Sequence, residues 1–307
     1  MAASEQSLMD QPDVTVIATA YNTSVFISDT ILSVVNQTFS RFELIIVDDC
    51  STDATHEIAS KMAVEDERIF VYRHTENLGA GEARNLGLKH ARGRYIAFID
   101  TDDIWEDQFL EEMVNCIRDQ TDGCAGVFCS TRIINEEGEL TGFEFNPGRG
   151  AYDLLRMLEG INPTINGSTL LIKKECFDEV GGFLSMPLGQ DIEMWLRILA
   201  KSSRSFLQHL PRHLVRYRDR RSSLSKRSHV ARQESFEHTI KNYLPLIPFF
   251  QRGKVYSAFV LGTDFAGPGL NPWRKTMGRK ALLYGGLLFT KQKRRLLSIA
   301  LRGLPPE

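Results

Sequence analysis

The sequence predicts an α/β fold: a doubly wound, mostly parallel sheet flanked by helices, with a helical C-terminal extension. Three observations carry that expectation. Short β-branched, apolar runs alternate along the first half with segments whose apolar residues recur at helical spacing. The runs are almost continuously apolar, as in strands covered on both faces. They also end in polar turns, which is where ligands gather in open sheets of this kind.

The elements follow in order. VTVIATA (14–20) reads as a strand, and Phe26, Ile27, Ile31, Val34 and Val35 mark one face of a helix within 25–38. ELIIVDD (43–49) is a second strand; Ser51 or Asp53 can cap the following helix, which carries Ile58 and Met62. RIFVYR (68–73) is a third strand with a helix over 80–91 after it, and GRYIAFID (93–100) a fourth with helix from Trp105 to Arg118. Beyond residue 120 the pattern is less regular. VFCSTRIIN (127–135) and GSTLLIKK (167–174) read as strands, EEGE (136–139) as a turn, and DIEMWLRILAKS (191–202) as an amphipathic helix, followed by two short strands in SFLQHL and LVRYR.

Bulk properties narrow the class. A net charge of −2 gives the whole molecule no general attraction to nucleic acid. Five cysteines, with no CxxC pair, fit a reduced setting. The opening MAASEQSLMDQPD is polar and acidic where a secretory signal is basic and then apolar. The longest apolar stretch, Ala281 to Phe289, is far short of the ~20 residues a spanning helix needs. The expectation is a cytoplasmic protein that does not cross a membrane.

Two carboxylate clusters carry the chemistry. In FIDTDDIW (98–105), Asp100 ends a strand and Asp102 and Asp103 follow within the turn. Three carboxylates so close repel one another unless a counter-charge intervenes, and hard oxygen ligands on a loop suit Mg²⁺ or Mn²⁺. The competing reading is that these are turn and capping residues, which Asp also favours. In VDDCSTD (47–53), Asp49 at a strand end can accept hydrogen bonds from a base or ribose. GAGEARNLG (79–87) opens a helix with a Gly-x-Gly, but Arg84 occupies the third glycine position of a dinucleotide fingerprint, and the preceding strand is the third rather than the first. Arg84 is read instead as a contact to base or phosphate, or as a surface arginine. Asp191 lies just before an amphipathic helix, as its N-cap or as a general base.

In this order and spacing, VTVIATAYN, FELIIVDDCSTDAT, NLGAGEARNLGLKHARGRYIAFIDTDDIW, INGSTLLIKKECFDEVGGF and GQDIEMWLR resemble the family 2 glycosyltransferases of the GT-A fold over roughly residues 13–225. The resemblance implies an N-terminal tail (1–12), a catalytic domain (13–225) and a basic, mainly helical C-terminal region (226–307). It assigns Thr19, Tyr21, Asp49 and Arg84 to the nucleotide, Asp100 to its ribose, Asp102 to a divalent metal shared by Asp103, and Asp191 to the catalytic base. Gln190 stands where many members have Glu, and YRDRRSSLS (217–225) offers arginines where many have a His, so Arg218, Arg220 or Arg221 are candidate diphosphate clamps. There is no QxxRW motif, which argues against a processive polymerase.

The resulting expectation is an inverting transferase that moves a sugar from a nucleoside-diphosphate sugar, UDP-linked by preference, to a hydroxyl of a saccharide or lipid-linked saccharide acceptor, in bacterial polysaccharide or lipopolysaccharide assembly. KALLYGGLLFTKQKRRLLSIALRG (280–303) mixes apolar and basic residues as a helix lying on an anionic membrane does, or one packed on the catalytic domain. The alternatives are a sugar-nucleotide nucleotidyltransferase, which wants a glycine-rich phosphate loop that ATAYNTS lacks, and a non-catalytic nucleotide-sugar binder.

Overall fold

The computed structural model describes residues 11–159, 166–186, 188–220, 229–256 and a few positions between 276 and 283. Arg221, the expected boundary at 225 and nearly all of 280–303 lie outside the described residues.

The first four strands form where expected: β1 (Val14–Ala20), β2 (Phe42–Asp48), β3 (Ile69–Arg73) and β4 (Tyr95–Asp100). They pair in parallel in the order β3-β2-β1-β4. Every residue of β2 is buried, and β1 is buried except at Thr19, as the apolar runs require. Helices α1 (Ile27–Val35), α2 (Thr55–Glu65) and α3 (Ala80–His90) make the crossovers. Asp53, rather than Ser51, steers the chain into α2: its carboxylate accepts the Thr55 and Ser24 amides, at 3.0 and 3.1 Å.

The middle of the chain extends this sheet and corrects three expectations. Ile104–Trp105 is a short strand, β5, so helix α4 starts at Phe109 and ends at Arg118. The buried Trp105 belongs to the sheet because it faces Val215 across an antiparallel ladder. The strand expected in 127–135 is β6 (Cys124–Ile134); it turns back at 136–139 into the exposed edge strand β7 (Leu140–Phe145). After β8 (Gly150–Tyr152) and helix α5 (Leu154–Glu159), a 3₁₀ turn at Gly167–Thr169 precedes β9 (Leu170–Lys173), which runs antiparallel between β4 and β6. Helix α6 (Lys174–Val180) follows it. Finally, the two strands expected in 206–218 are one, β10 (Phe206–Arg218), parallel to β6. Its register shifts around Pro211, between Leu210 and His213; proline has no amide to donate, so the ladder passes that point as a bulge rather than a break.

The chain divides into two compact units. The first comprises Met1–Ala151, Thr164–Met186 and Arg204–Arg221 and holds the main core, where Ile27, Ile31, Leu44, Ile46, Ile99, Trp105, Phe109 and Met113 pack together, all buried. The second comprises Tyr152–Pro163, Pro187–Ser203 and Ser222–Glu307 and contains α7 (Gln190–Ala200) and α8 (His229–Tyr243). Within it Glu193, 2% exposed, is bound by Arg197 at 2.9 Å and by the Tyr243 hydroxyl at 2.6 Å. No helix among the described residues is long and apolar enough to cross a membrane.

Candidate active site

Strand order fixes where a ligand meets the first unit. From β1 the chain moves outward to β2 and β3, then returns to place β4 on the other side of β1. The carboxyl ends of β1 and β4 therefore flank the point where the order reverses, the usual ligand crevice of an open α/β sheet. Thr19 and Asp100 are register partners at that point. Tyr21, just past β1, is half-exposed.

Arg84 enters this edge from α3. It is 5% exposed, its Nη2 lies 3.1 Å from Asp100 Oδ1, and its guanidinium faces the Phe183 ring at 5.5 Å. It is therefore not a surface arginine. α3 is held in place by Asn85, whose amide oxygen accepts the Phe183 N–H (2.6 Å) and whose amide nitrogen donates to the Phe183 carbonyl (3.0 Å). Gly182 permits this contact: a Cβ there would stand 2.4 Å from the Asn85 oxygen.

The three loop carboxylates are in different surroundings. Asp100 keeps a third of its side chain exposed. Asp102 is mostly covered, with 13% of its side chain exposed, and lies 2.6 Å from Arg220 Nε in a side-on ion pair whose N–H is not aimed at the oxygen. Burial, and then the charge of Asp100, pushes its pKa up to about 6 against the pull of Arg220 and Arg218. Asp103 faces the protein interior and is fully buried. Its oxygens accept the Ser168 hydroxyl (2.6 Å) and the Arg218 amide (3.0 Å), and burial raises its pKa well above the usual range. Expected beside the metal, Asp103 instead sits beneath the loop, with both oxygens engaged.

Ser168 and Arg218 complete that support. The Ser168 hydroxyl accepts the Asp100 amide at 3.0 Å, and its carbonyl receives the Trp105 indole N–H at 2.8 Å. Arg218, 3% exposed, donates through Nε to the Asp102 carbonyl and through Nη1 to the carbonyls of Asn135 and Glu136. Its guanidinium is committed to backbone, which leaves Arg220 as the described arginine with a partly exposed side chain facing Asp102.

At the end of β2 the second cluster folds around its own loop. Asp49, 3% exposed, accepts the Leu78 and Gly79 amides at 2.9 and 2.7 Å, and its Oδ1 lies 2.7 Å from His74 Nδ1. Asp48 is wholly buried against Arg73 Nε at 3.0 Å. Asp191 belongs to the second unit, in the first turn of α7 and partly exposed. Sequence reasoning missed His74, Ser168 and Asn85, because each acts through a partner distant in sequence: Asp49, Asp103 and Phe183 respectively.

A divalent metal suits Asp100 and Asp102. Two carboxylates, one destabilised by the other, gain from a cation between them. Among the described residues no group of three or more His, Cys, Asp or Glu is arranged to hold a metal alone, so Asp100 and Asp102 would share it with substrate phosphates, as Mg²⁺ sites often do.

Known proteins bear on this geometry. Among curated relatives, the Bacillus subtilis glycosyltransferase TuaG, provisionally assigned to teichuronic acid biosynthesis, is 37% identical over 62% of this chain and 73% of its own length. An Escherichia coli protein, the UDP-Glc:alpha-D-GlcNAc-diphosphoundecaprenol beta-1,3-glucosyltransferase WfaP, is 33% identical over 61% of this chain and 70% of its own. Among solved structures, Staphylococcus aureus TarS 1–349 with UDP-GlcNAc superposes with a TM-score of 0.62 at 17% identity, over 94% of this chain and 92% of that one. The Pyrobaculum calidifontis mannosyltransferase PcManGT, with GDP-Man and Mn²⁺, gives 0.59 at 19% identity, over 95% and 86%. Both are GT-A folds, and so is this chain. The family model for glycosyl transferase family 2 matches residues 15–181, more than half of the chain, including Thr19, Asp49, Arg84, Asp100 and Asp102, so the protein belongs to glycosyl transferase family 2 and is a glycosyltransferase.

Proposed function

We propose that the chain transfers a sugar, with inversion, from a nucleoside-diphosphate sugar to an acceptor hydroxyl during assembly of a surface polysaccharide. The observation that carries this is the pairing of Asp100 and Asp102 with two arginines, Arg84 and Arg220, at the switch point of the sheet. Anions of opposite exposure and cations within 3.1 Å make a site for a ligand that brings both a metal and phosphates.

In this reading the nucleoside lies over the ends of β1 and β2, against Thr19, Tyr21 and Asp49, with Arg84 and Asp100 toward the ribose. Asp102 and Asp100 would hold Mn²⁺ or Mg²⁺, which would supply positive charge to offset that of the diphosphate. Arg220 adds a fixed positive charge for the same group. Asp191 takes the proton of the acceptor hydroxyl as its oxygen bonds to the anomeric carbon and the carbon–oxygen bond to the diphosphate breaks. TuaG and WfaP support a polymer or lipid-linked acceptor, and WfaP and TarS support a uridine donor. We further place the catalytic domain at 13–225 and the chain at the inner face of the membrane through its basic C-terminal region, which suits a lipid-linked acceptor.

A panel of UDP, dTDP, GDP, CDP and ADP, each with and without Mn²⁺, tests the donor site by thermal shift. A nucleotide present at about 100 times its Kd stabilises the fold by roughly 2.7 kcal/mol. The expected result is stabilisation by UDP that needs the metal. Stabilisation by none of them, with or without Mn²⁺, would overturn the proposal.

A further inference from the structure

We infer that the pair of turns after α8 is the part of this chain that enters an anionic lipid bilayer, an inference that rests on the membrane placement proposed above and not on the donor site. Two 3₁₀ turns, Leu244–Leu246 and Phe249–Gln251, follow α8 within the second unit. Their apolar residues divide between two sides. Leu244 and Ile247 are buried, as are Tyr243, Val255 and Tyr256 on either side in sequence, whereas Leu246 and Phe249 are 56% and 65% exposed. Lone exposed apolar side chains are ordinary on a protein surface. These two are three residues apart and are joined by Arg252. Its guanidinium donates to the carbonyls of Pro245 and Ile247, each at 3.0 Å, and faces the Phe249 ring at 6.0 Å. Leu246 and Phe249 thus belong to one folded knob.

The backbone of this knob suits a surface poor in water, where every unpaired peptide group is costly. Pro245 and Pro248 have no N–H to leave unpaired. The Ile247 N–H donates to the Leu244 carbonyl (3.1 Å) and the Gln251 N–H to the Pro248 carbonyl (2.9 Å). Arg252 takes two more carbonyls, as above. Charge then names the surface. Residues 222–307 carry fifteen Lys and Arg against four Asp and Glu, a net +11 in a chain whose total is −2. Such a segment is drawn to anionic headgroups, and exposed Leu and Phe side chains then enter the boundary between headgroups and acyl chains. The exposed apolar pair on β7, Leu140 and Phe143, lies instead in a stretch with Glu136, Glu137, Glu139 and Glu144, which an anionic surface repels. That pair serves as an internal control.

The test uses the full chain and vesicles of phosphatidylcholine alone or of equal parts phosphatidylcholine and phosphatidylglycerol, with binding read by flotation. Wild type should bind the anionic vesicles, not the neutral ones, and should be released as salt rises. Leu246→Ser combined with Phe249→Ser should lower the partition coefficient about tenfold, because both changes remove apolar area from the boundary, with the melting temperature kept. Leu140→Ser combined with Phe143→Ser should bind as wild type does. A second readout needs no loss of apolar area: Phe249→Trp should keep binding, and its added fluorescence should shift to the blue on anionic vesicles. Unchanged partition in the Leu246/Phe249 variant, an equal loss in both double variants, or no added blue shift from Phe249→Trp would overturn the inference. So would a wild-type dimer in sedimentation that the Leu246/Phe249 variant splits, since a second copy of the chain would then cover the patch. Failure of wild type to bind either vesicle would overturn the membrane placement as well. Failure of the nucleotide panel alone would overturn the donor site and leave this inference standing.

Discussion

Asp102→Asn should make the metal-free protein more stable while removing its response to metal and nucleotide. Asp102 is a mostly covered carboxylate beside Asp100, and its pKa is pushed up from 3.8 to about 6. At 1.36 kcal/mol per unit, that shift amounts to about 3 kcal/mol withheld from stability when the group is ionised, as an upper figure. The sign follows from proton binding. Between about pH 4 and pH 6 the folded state holds the proton more tightly than the unfolded chain, so stability falls as pH rises through that window. Above it the full penalty applies; below about pH 4 it is absent. Asparagine resembles the protonated acid at every pH.

Thermal melts of wild type and Asp102→Asn without metal, at pH 5 and pH 8, measure this directly. At pH 8 the variant should melt higher by up to roughly 6 °C, at about 2 °C per kcal/mol for a chain of this size. At pH 5 about half of that gap should close. Addition of Mn²⁺ with UDP should then raise the melting point of wild type and leave the variant where it was. A variant less stable than wild type at pH 8, or a gap independent of pH, would refute the electrostatic account of the loop.

Three further substitutions probe separate parts of the scheme. Asp191→Asn should lower kcat by about 10²- to 10⁴-fold, the usual weight of a general base, with UDP affinity kept; near-normal turnover would remove Asp191 from the chemistry. Ser168→Ala deletes the hydroxyl that joins the Asp100 amide to Asp103, so it should cost about 2 kcal/mol in urea unfolding and raise the Mn²⁺ concentration needed for half-maximal activity. Gly182→Ala puts a Cβ 2.4 Å from the Asn85 oxygen, so unfolding should shift by about 1–3 kcal/mol, against little change if the loop can simply move aside.

How much of this was legible in the sequence depends on whether a residue's role is local. Four strands were placed to within two residues because each is an apolar run whose burial dictates its period and ends. The sequence predicts helix α4 from Trp105, four residues early, because Trp105 and Phe109 are apolar at helical spacing, while the sheet partners of Ile104 and Trp105 in β10 are over a hundred residues away. Pro211 split β10 in the reading for the same reason: local chemistry says break, and the neighbouring β6 says bulge. Among site residues, the Arg84–Asp100 contact was half visible as two charged motifs. Asp49 was visible as a strand-end carboxylate. The His74 ring that faces it lies in RHTENLG, a turn sequence with nothing to distinguish it until β2 and β3 are paired.

Asp103 shows most clearly how the fold resolves what the sequence leaves ambiguous. Three carboxylates within four residues argue for a metal on the loop, placed on Asp102 and Asp103, since a cation is one way to relieve their repulsion. The fold uses a second way for the third. Burial raises the Asp103 pKa well above the usual range, which favours its neutral form, and Ser168 and Arg218 bind both its oxygens. Asp103 is thus engaged from within the protein, which leaves Asp100 and Asp102 as the pair that a cation can reach. Asp103→Asn should therefore be tolerated, because an amide oxygen can still accept the Arg218 N–H and its NH₂ can donate to Ser168 after the hydroxyl turns. Isothermal titration with UDP and Mn²⁺ should give Asp103→Asn within about threefold of wild type, whereas Asp102→Asn binds neither in a metal-dependent way. Equal loss in both variants, with Asp103→Asn still folded, would return Asp103 to the metal and undo the division of roles drawn from its burial.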